Sequence, residues 1–533
     1  MPAAVDLLRK GKHQEIWMKY CGFLDLSLKE FMDIQERLLM EQMDLVRKSK
    51  IGKKFIGDKA PRSIEEFREM IQVTSYEDYE GYFDVQREDV LPESAYLWAR
   101  TSGRSGKMKW IPYTKQAYNR LGERVFAGVI LAAARGKGDI NLEEGDTLIY
   151  NTPPRPYISG VALRALAEHF NFKFIPSLEE TENLEFGERI SKGFQTALIT
   201  GIDILGSLAV VLVKMGEQFA EGANTTKLSL ELLHPAVIFR FIKALIRSKL
   251  EKRSMLPKDL WKIKAIPSGG MDTSIYKDKI EYYWGTAPYE QYGSTEEGAI
   301  AAQAWNKKGM TFFPDGAFLE FIPEEEWAIW RKDKNYIPRT VLLNEVELNK
   351  RYEVVITNFY GKPLLRYRMH DLIKFTSFDD PETGIKLPQM TFVGRSNDFI
   401  DLAGFTGLID EKLVWNAILN SKIPYEEWSI RKEVKNGHPI LHLYIESLNG
   451  YQPDEIQVAV HENLKKLNPS YADYGNMIGI NTLEVTRLSH GTFQAYMAEM
   501  VKAGADMAHI KPPHMNASDD IINLLLEKDK EEI

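Results

Sequence analysis

Apolar and polar positions along the chain fall into three regimes. Over residues 1–90 the spacing is helical: Phe31, Ile34, Leu38, Leu39, Met43 and Val46 recur every three or four residues, and Ser63-Ile64-Glu65-Glu66 has the form of a capping box. A mostly helical lobe packed on a larger body is predicted there. From Leu97 strand-like runs alternate with helices, with strands at Asp146–Tyr150 and Phe172–Ile175 and helices around Thr114–Arg135 and Gly160–Phe170. The apolar stretch Ile204–Val213 is expected to be a buried helix. Pro235–Ile246 is expected to be an amphipathic helix, with Arg240, Lys243 and Arg247 on a solvated face. A strand at Ile263–Ile266 and a helix from about Asp272 follow, then strand-rich sequence at Ala317–Ile322, Glu353–Asn358, Leu365–Phe375 and Met390–Val393.

Beyond Arg395 the pattern becomes compact α+β: strands Ser429–Val434 and Ile440–Glu446, a helix Asp454–Leu467 and a strand Thr482–Leu488. The predicted class is α/β. Residues 1–395 form a large N-terminal domain of helix-covered mixed or parallel β-sheets, and residues 396–533 a small α+β C-terminal domain. At 533 residues the chain is too long for one core, which agrees.

Charge adds an exclusion. With 68 basic and 76 acidic residues the net charge is -8, which argues against a nucleic-acid-binding surface. The single cysteine, Cys21, leaves no internal disulfide framework or multi-cysteine metal site and fits a reducing cytoplasm. The N-terminus has no uninterrupted apolar core of a secretory signal. The most apolar run, Ile204–Val213, is far shorter than the roughly 20 residues that cross a bilayer. No membrane partner is expected, and the oligomeric state is left open.

Candidate chemistry begins at residues 96–113. After the strand-like Leu97-Trp98-Ala99 comes a loop of Thr101, Ser102, Gly103, Ser105 and Gly106 interleaved with Arg104, Lys107 and Lys109. Glycines let backbone N–H groups turn towards a ligand, and hydroxyls and cations add donors, which is the chemistry of a polyphosphate cradle. The Walker spacing is absent. Far downstream lie Tyr292-Gly293-Ser294-Thr295-Glu296 and Tyr367-Arg368-Met369-His370-Asp371. There is no His-Glu-x-x-His, Gly-x-Gly-x-x-Gly or Gly-x-Ser-x-Gly. Taken alone, Asp371 reads as a salt-bridge partner of Arg368, and Gly269-Gly270-Met271 reads equally as a simple turn.

These three stretches, in this order and at these distances, resemble the adenylate-forming superfamily. Met310–Pro323 and the final Gly491-Thr492-Phe493 … Lys511-Pro512-Pro513 narrow the resemblance to the Gretchen Hagen acyl acid amido synthetases, in a member of microbial type. The resemblance implies that ATP activates a small carboxylic acid as an acyl-adenylate, and that an amine, an amino acid, then takes the acyl group. A carboxylate–CoA ligase and a non-catalytic nucleotide-binding relative are the alternatives.

Carried over residue by residue, it implies phosphate contacts from Thr101, Ser102, Gly103, Arg104, Ser105, Gly106 and Lys109. Thr295 donates to the α-phosphate and Glu296 is an oxygen ligand for Mg²⁺. Tyr292, Gly293, Ser294, Gly269 and Gly270 surround the adenine. Asp371 accepts from the ribose hydroxyls, Arg395 closes on ribose or phosphate, and Asn397-Asp398 is a hinge. Lys511 bridges carboxylate and α-phosphate during adenylation. The acyl pocket is expected from Pro154, Tyr157, Ile158, the Phe172–Ile175 region and Met271. Four residues depart from the family pattern: Arg104, His370 in place of Gly, Asn397, and His514 where Pro-Arg is usual. The last puts any phosphate contact by that arginine in doubt.

Overall fold

The computed structural model describes residues 2–101, 109–222, 234–269, 273–333, 335–396, 399–400, 402, 409–435, 438–448, 450–469, 471–472, 481–502 and 510–531. The chain divides into two compact units, one of Met1–Met369 with Ile373–Phe392 and one of His370–Leu372 with Val393–Ile533.

In the first unit a hairpin of β1 (Leu97–Arg100) and β2 (Trp110–Tyr113) stands apart from an eleven-stranded sheet. That sheet takes β3 (Thr147–Tyr150), β4 (Lys173–Ile175), β5 (Ile204–Leu208), β6 (Pro267–Gly269) and β7 (Tyr289–Ser294). It continues through β8 (Gly298–Gln303), β9 (Met310–Phe312), β10 (Ala317–Pro323), β11 (Arg351–Asn358), β12 (Tyr367–Ser377) and β13 (Gln389–Arg395). The spatial order is β10-β11-β12-β13-β9-β8-β7-β6-β5-β3-β4.

Parallel pairing runs from β4 to β7, and β7-β8, β8-β9, β9-β13 and β10-β11 are antiparallel. The sheet is therefore mixed. β3 and β8 are buried at every position, which is why Thr-Leu-Ile-Tyr and Gly-Ala-Ile-Ala-Ala-Gln show little alternation.

Helices cover it. Thr114 caps the helix Lys115–Ala133, its Oγ1 accepting from Ala117 N–H at 3.1 Å, and almost every residue beyond Phe126 is buried. In the helix Leu28–Val46, Ser27 and Glu30 form a reciprocal capping box. Its buried glutamines do more than fill space: Gln35 Nε2 donates to Ala317 O at 2.8 Å, and Gln42 Nε2 to Lys362 O at 2.6 Å.

Several expectations change. Ile204–Val213 splits into β5 and the start of the helix Ala209–Gly222, because a short apolar run does not distinguish a buried strand from a buried helix. At Ser63 the box is half formed: Ser63 Oγ accepts from Glu66 N–H, but the Glu66 carboxylate reaches one residue further, to Arg62 N–H. Arg240, on the helix Pro235–Leu250, does not sit on a solvated face. It donates to Leu198 O at 2.7 Å and Ile199 O at 3.2 Å, satisfying carbonyls at the end of the helix Phe186–Thr200. The expected strand Ile263–Ile266 contributes only an isolated bridge at Ala265, and regular pairing starts at Pro267.

The second unit carries β14 (Tyr425–Lys435), β15 (His438–Ser447) and β16 (Leu483–Leu488) in that order, antiparallel then parallel. The helices Glu411–Ser421, Pro453–Leu467, Thr492–Lys502 and Asp519–Glu531 accompany them. Among the described residues, no helix is long and apolar enough to cross a membrane.

Candidate active site

In the first unit the β1–β2 hairpin closes the neck of the small-residue loop. Thr101 N–H donates to Lys109 O at 2.9 Å, and Thr101 Oγ1 accepts from Lys109 N–H at 3.1 Å. The Lys109 ammonium lies 4.8 Å from the centre of the Tyr76 ring. Ser102, Gly103, Arg104, Ser105 and Gly106 lie outside the described residues, as do Gly270 and Met271. Gly269 ends β6.

β7 ends in Tyr292-Gly293-Ser294, and the turn Thr295-Glu296-Glu297 leads into β8. Each carbonyl of that turn accepts from a side chain remote in sequence. Tyr113 Oη donates to Thr295 O at 2.8 Å, Lys362 Nζ to Glu296 O at 2.6 Å, and Arg124 Nη2 to Glu297 O at 3.3 Å. The Glu297 carboxylate is the hub. It accepts from Arg124 Nη2 at 2.8 Å, Lys362 Nζ at 3.0 Å and Asn358 Nδ2 at 2.6 Å.

Arg124, Glu297, Asn358 and Lys362 are all buried. Burial pulls the Lys362 ammonium down to about 8, against the opposing pull of Glu297. This network was not anticipated. The only local signal was the Glu-Glu doublet after Thr295, and its partners come from a helix 173 residues upstream, the end of β11 61 residues downstream and a loop 65 residues downstream. It fixes the backbone that carries Thr295 and Glu296. Glu296 is half-buried, with Tyr367 Oη 3.5 Å from its Oε1.

Beside the turn lies a cavity of about 330 Å³. Its walls include Leu121 and Val125, Ile158, Ala162 and Leu163, the strand ends Ser207 and Ser268, and Gly293 with Ser294 of the motif itself. No lysine, arginine, histidine or carboxylate lines it among the described residues. A site of this size and lining suits a small, largely apolar ligand.

Of the expected wall, Ile158 is present. Tyr157 is not: its ring lies 5.1 Å from the Arg100 guanidinium and its Oη accepts from Arg100 Nη2 at 3.2 Å, because β1 passes beside it. Pro154 is absent from the wall as well, and Phe172 and Phe174 pack in an aromatic core with Phe126 and Phe170. Tyr292 is buried with its ring 5.9 Å from that of Phe392, so one expected adenine-facing surface rests on an aromatic neighbour.

In the second unit Asp371 is buried, with its Oδ1 3.4 Å from Arg395 Nε. The suggested Arg368–Asp371 pair does not form. Arg368, in the first unit, makes a two-pronged pair with Glu353 of β11 at 2.9 and 2.7 Å.

His370 adopts φ +57°, a left-handed conformation that glycine enters without strain, and its Nδ1 is 3.4 Å from Ser396 Oγ. Asn397 and Asp398 lie outside the described residues.

Lys511 is half-buried and begins a segment that the small unit grips. His514 N–H donates to Pro512 O at 2.9 Å, Ile430 N–H to His514 O at 2.7 Å, and Ser429 Oγ to Pro513 O at 2.5 Å. The His514 ring is buried between two carboxylates, Nδ1 2.5 Å from Glu411 Oε1 and Nε2 2.6 Å from Glu427 Oε1. It stacks on Trp428 at 4.3 Å with an interplanar angle of 4°. Burial lowers its basicity, but Glu427 and Glu411 outweigh that and push it up to about 9, so the ring is a cation at neutral pH. The residue in the arginine's place is thus an internal ion-pair member.

Comparison with known proteins agrees with this layout. The GH3 family N-terminal domain matches residues 21–164, its central domain 310–395 and its C-terminal domain 416–520. Indole-3-acetic acid-amido synthetase GH3.3 of Arabidopsis thaliana is 26% identical over 285 residues, 49% of this chain and 44% of that one. Jasmonoyl--L-amino acid synthetase JAR4 of Nicotiana attenuata is 27% identical over 267 residues, 47% of this chain and 43% of that one. The matches thus span less than half the length of these curated relatives. In fold, the chain is similar to a GH3.15 acyl acid amido synthetase solved with 2,4-DB, at TM-score 0.69, 19% identity and 93% coverage of each chain. A 2-hydroxyisobutyryl-CoA ligase in its postadenylation state follows at TM-score 0.59 and 13% identity, covering 99% of this chain and 93% of that one.

Proposed function

Because the chain belongs to the GH3 family, we propose that it is an ATP-dependent acyl acid amido synthetase. It joins a small carboxylic acid to an amine, an amino acid, through an acyl-adenylate. The observation that carries this is the uncharged cavity whose wall includes Gly293 and Ser294, next to the fixed turn of Thr295 and Glu296. An acid seated there would place its carboxylate towards the motif and its apolar body in the cavity.

In the first half-reaction a carboxylate oxygen attacks the α-phosphorus, the bond to the β-phosphate oxygen breaks, and pyrophosphate leaves. Alignment and neutralisation of growing negative charge do most of the work. Thr295 donates to the α-phosphate. Thr101, Ser102, Gly103, Arg104, Ser105, Gly106 and Lys109 hold the outer phosphates, and Asp371 and Arg395 hold ribose. Tyr292, Gly269 and Gly270 bound the nucleotide, and Lys511 supplies a cation to the reacting oxygens.

Glu296 suits Mg²⁺, a hard cation that prefers carboxylate and phosphate oxygens, and the ion would neutralise phosphate charge there. In the second half-reaction the amine nitrogen attacks the acyl carbon, the C–O bond to AMP breaks, and the nitrogen sheds a proton. The setting that fits one buried cysteine is a reducing cytoplasm.

The test is acid-dependent pyrophosphate release with butyrate, benzoate and indole-3-acetate, followed by amino acids, hydroxylamine or CoA as acceptors. Amide from an amino acid is expected. Release with none of the acids, or thioester as the sole product, would overturn the reading.

A further inference from the structure

We infer that His514 is a positioning residue for Lys511: clamped between Glu411 and Glu427 and stacked on Trp428, it fixes the segment that delivers the lysine. This rests on the adenylation role proposed above for Lys511. Three observations in the small unit converge on it.

The first is covalent reach. Lys511 is separated from His514 by Pro512 and Pro513, whose fixed φ leaves the intervening chain few conformations. Orientation imposed at His514 is therefore passed to Lys511 with little slack.

The second is that the anchor is rigid at both backbone and side chain. Ile430 of β14 donates to His514 O at 2.7 Å, Asn516 N–H returns a bond to Ile430 O at 2.9 Å, and Met515 makes a parallel bridge with Ile430. The imidazolium is fully used, with one N–H to each of two carboxylates that come from different elements. Glu411 sits in the first turn of the helix Glu411–Ser421, and Glu427 lies on β14. Trp415 closes the ring's edge at 4.9 Å.

The third is specificity of the pairing. A neutral side chain here would remove the cation that two partly buried carboxylates share. The segment would then be expelled or re-seated. The clamp thus ties the lysine's placement to a charge inside the unit, not to a phosphate contact.

On that role adenylation needs the lysine, and attack of an amine on a finished acyl-adenylate does not. The two half-reactions therefore separate positioning from mere folding. Pyrophosphate release with whichever of butyrate, benzoate or indole-3-acetate the wild type turns over is compared with amide formation from the corresponding supplied acyl-adenylate. His514→Gln is expected to lower kcat for release roughly tenfold to a hundredfold, the scale of a small misplacement of a reacting group, with aminolysis kept within about twofold. His514→Arg, which restores a cation able to face two carboxylates, is expected to recover most of the release.

If His514→Gln fails to fold, Glu427→Gln, which leaves the ring and one carboxylate in place, is expected to show a smaller split in the same direction. Equal loss of both half-reactions in the folded variants, or unchanged release, would overturn the inference. Lys511→Ala separates its failure from that of the reading beneath it. Release surviving Lys511→Ala removes the lysine's role, and with it the inference. Release lost in Lys511→Ala but intact in His514→Gln and Glu427→Gln removes the clamp's role alone.

Discussion

Glu297 is the residue on which the candidate site's backbone depends most, and its replacement by glutamine tests that dependence. Its carboxylate faces Arg124, Lys362 and Asn358 at 2.6 to 3.0 Å, and its side chain is 2% exposed. Glutamine keeps the shape but offers one acceptor where the site needs two. It turns an N–H₂ towards groups that are themselves donors, and it leaves two buried cations without an anion. Removing one partner of a buried ion pair costs about 3–5 kcal/mol.

Lys362→Met is the control that separates charge balance from simple packing. Burial holds the ammonium down at about 8, so it is still charged at neutral pH but carries a desolvation cost in the folded protein, and removing it discards that cost together with two hydrogen bonds. Glu297 would keep Arg124 and Asn358. Lys362→Met should therefore cost about 1 kcal/mol, the worth of a net hydrogen bond. Urea unfolding followed by tryptophan fluorescence gives both values, read as midpoint shifts because two units need not unfold as one. Pyrophosphate release should fall in the same order. A loss below about 1 kcal/mol in Glu297→Gln, or equal losses in the two variants, would refute the view that Glu297 is the hub.

Backbone conformation at His370 predicts an order of stability. At φ +57° glycine should match or exceed histidine, while His370→Val should lose about 1–2 kcal/mol, seen as a lower melting midpoint. Two buried groups in the small unit both favour low pH, over different intervals. His514 titrates near 9 when folded against 6.5 unfolded, so its contribution is whole below pH 6.5 and is lost as pH rises through 9; the stability gap between wild type and His514→Gln should narrow from pH 6 to pH 10. Glu446 is pushed up to about 7 by burial and by Glu426 and Glu427, so the folded unit loses stability as pH rises from 4.5 to 7, and Glu446→Gln should gain on wild type over that interval in urea midpoints. Ala162→Phe places a ring in the cavity wall; release with indole-3-acetate should fall before release with butyrate, and equal sensitivity would place the acid elsewhere.

Legibility followed the range of the interactions. The helical spacing from Phe31 to Val46, the helix after Thr114 and the strand run ending at Tyr150 are set by neighbours within a few residues, so apolar spacing exposed them. Ile204–Val213 departs from a single helix because its apolarity reports burial and not the choice between strand and helix, which β3 and β6 make by pairing with β5. Tyr157 sits near the expected pocket in sequence yet turns to Arg100, a partner 57 residues away.

From sequence alone came the α/β alternation and the short motifs that resemble the family: the loop ends Thr101 and Lys109, the Tyr292–Glu296 turn, Asp371 and Lys511. Each is a contiguous stretch whose residue types state their chemistry. Tertiary structure alone decided that Glu297 is held by Arg124 and Lys362, that Arg368 pairs with Glu353, that an uncharged cavity opens beside Gly293 and Ser294, and that His514 is an internal cation. The physical reason is that a buried charge takes its partner from whatever element the fold brings within about 3 Å. Side-chain chemistry states the need for a partner, but only chain topology supplies one.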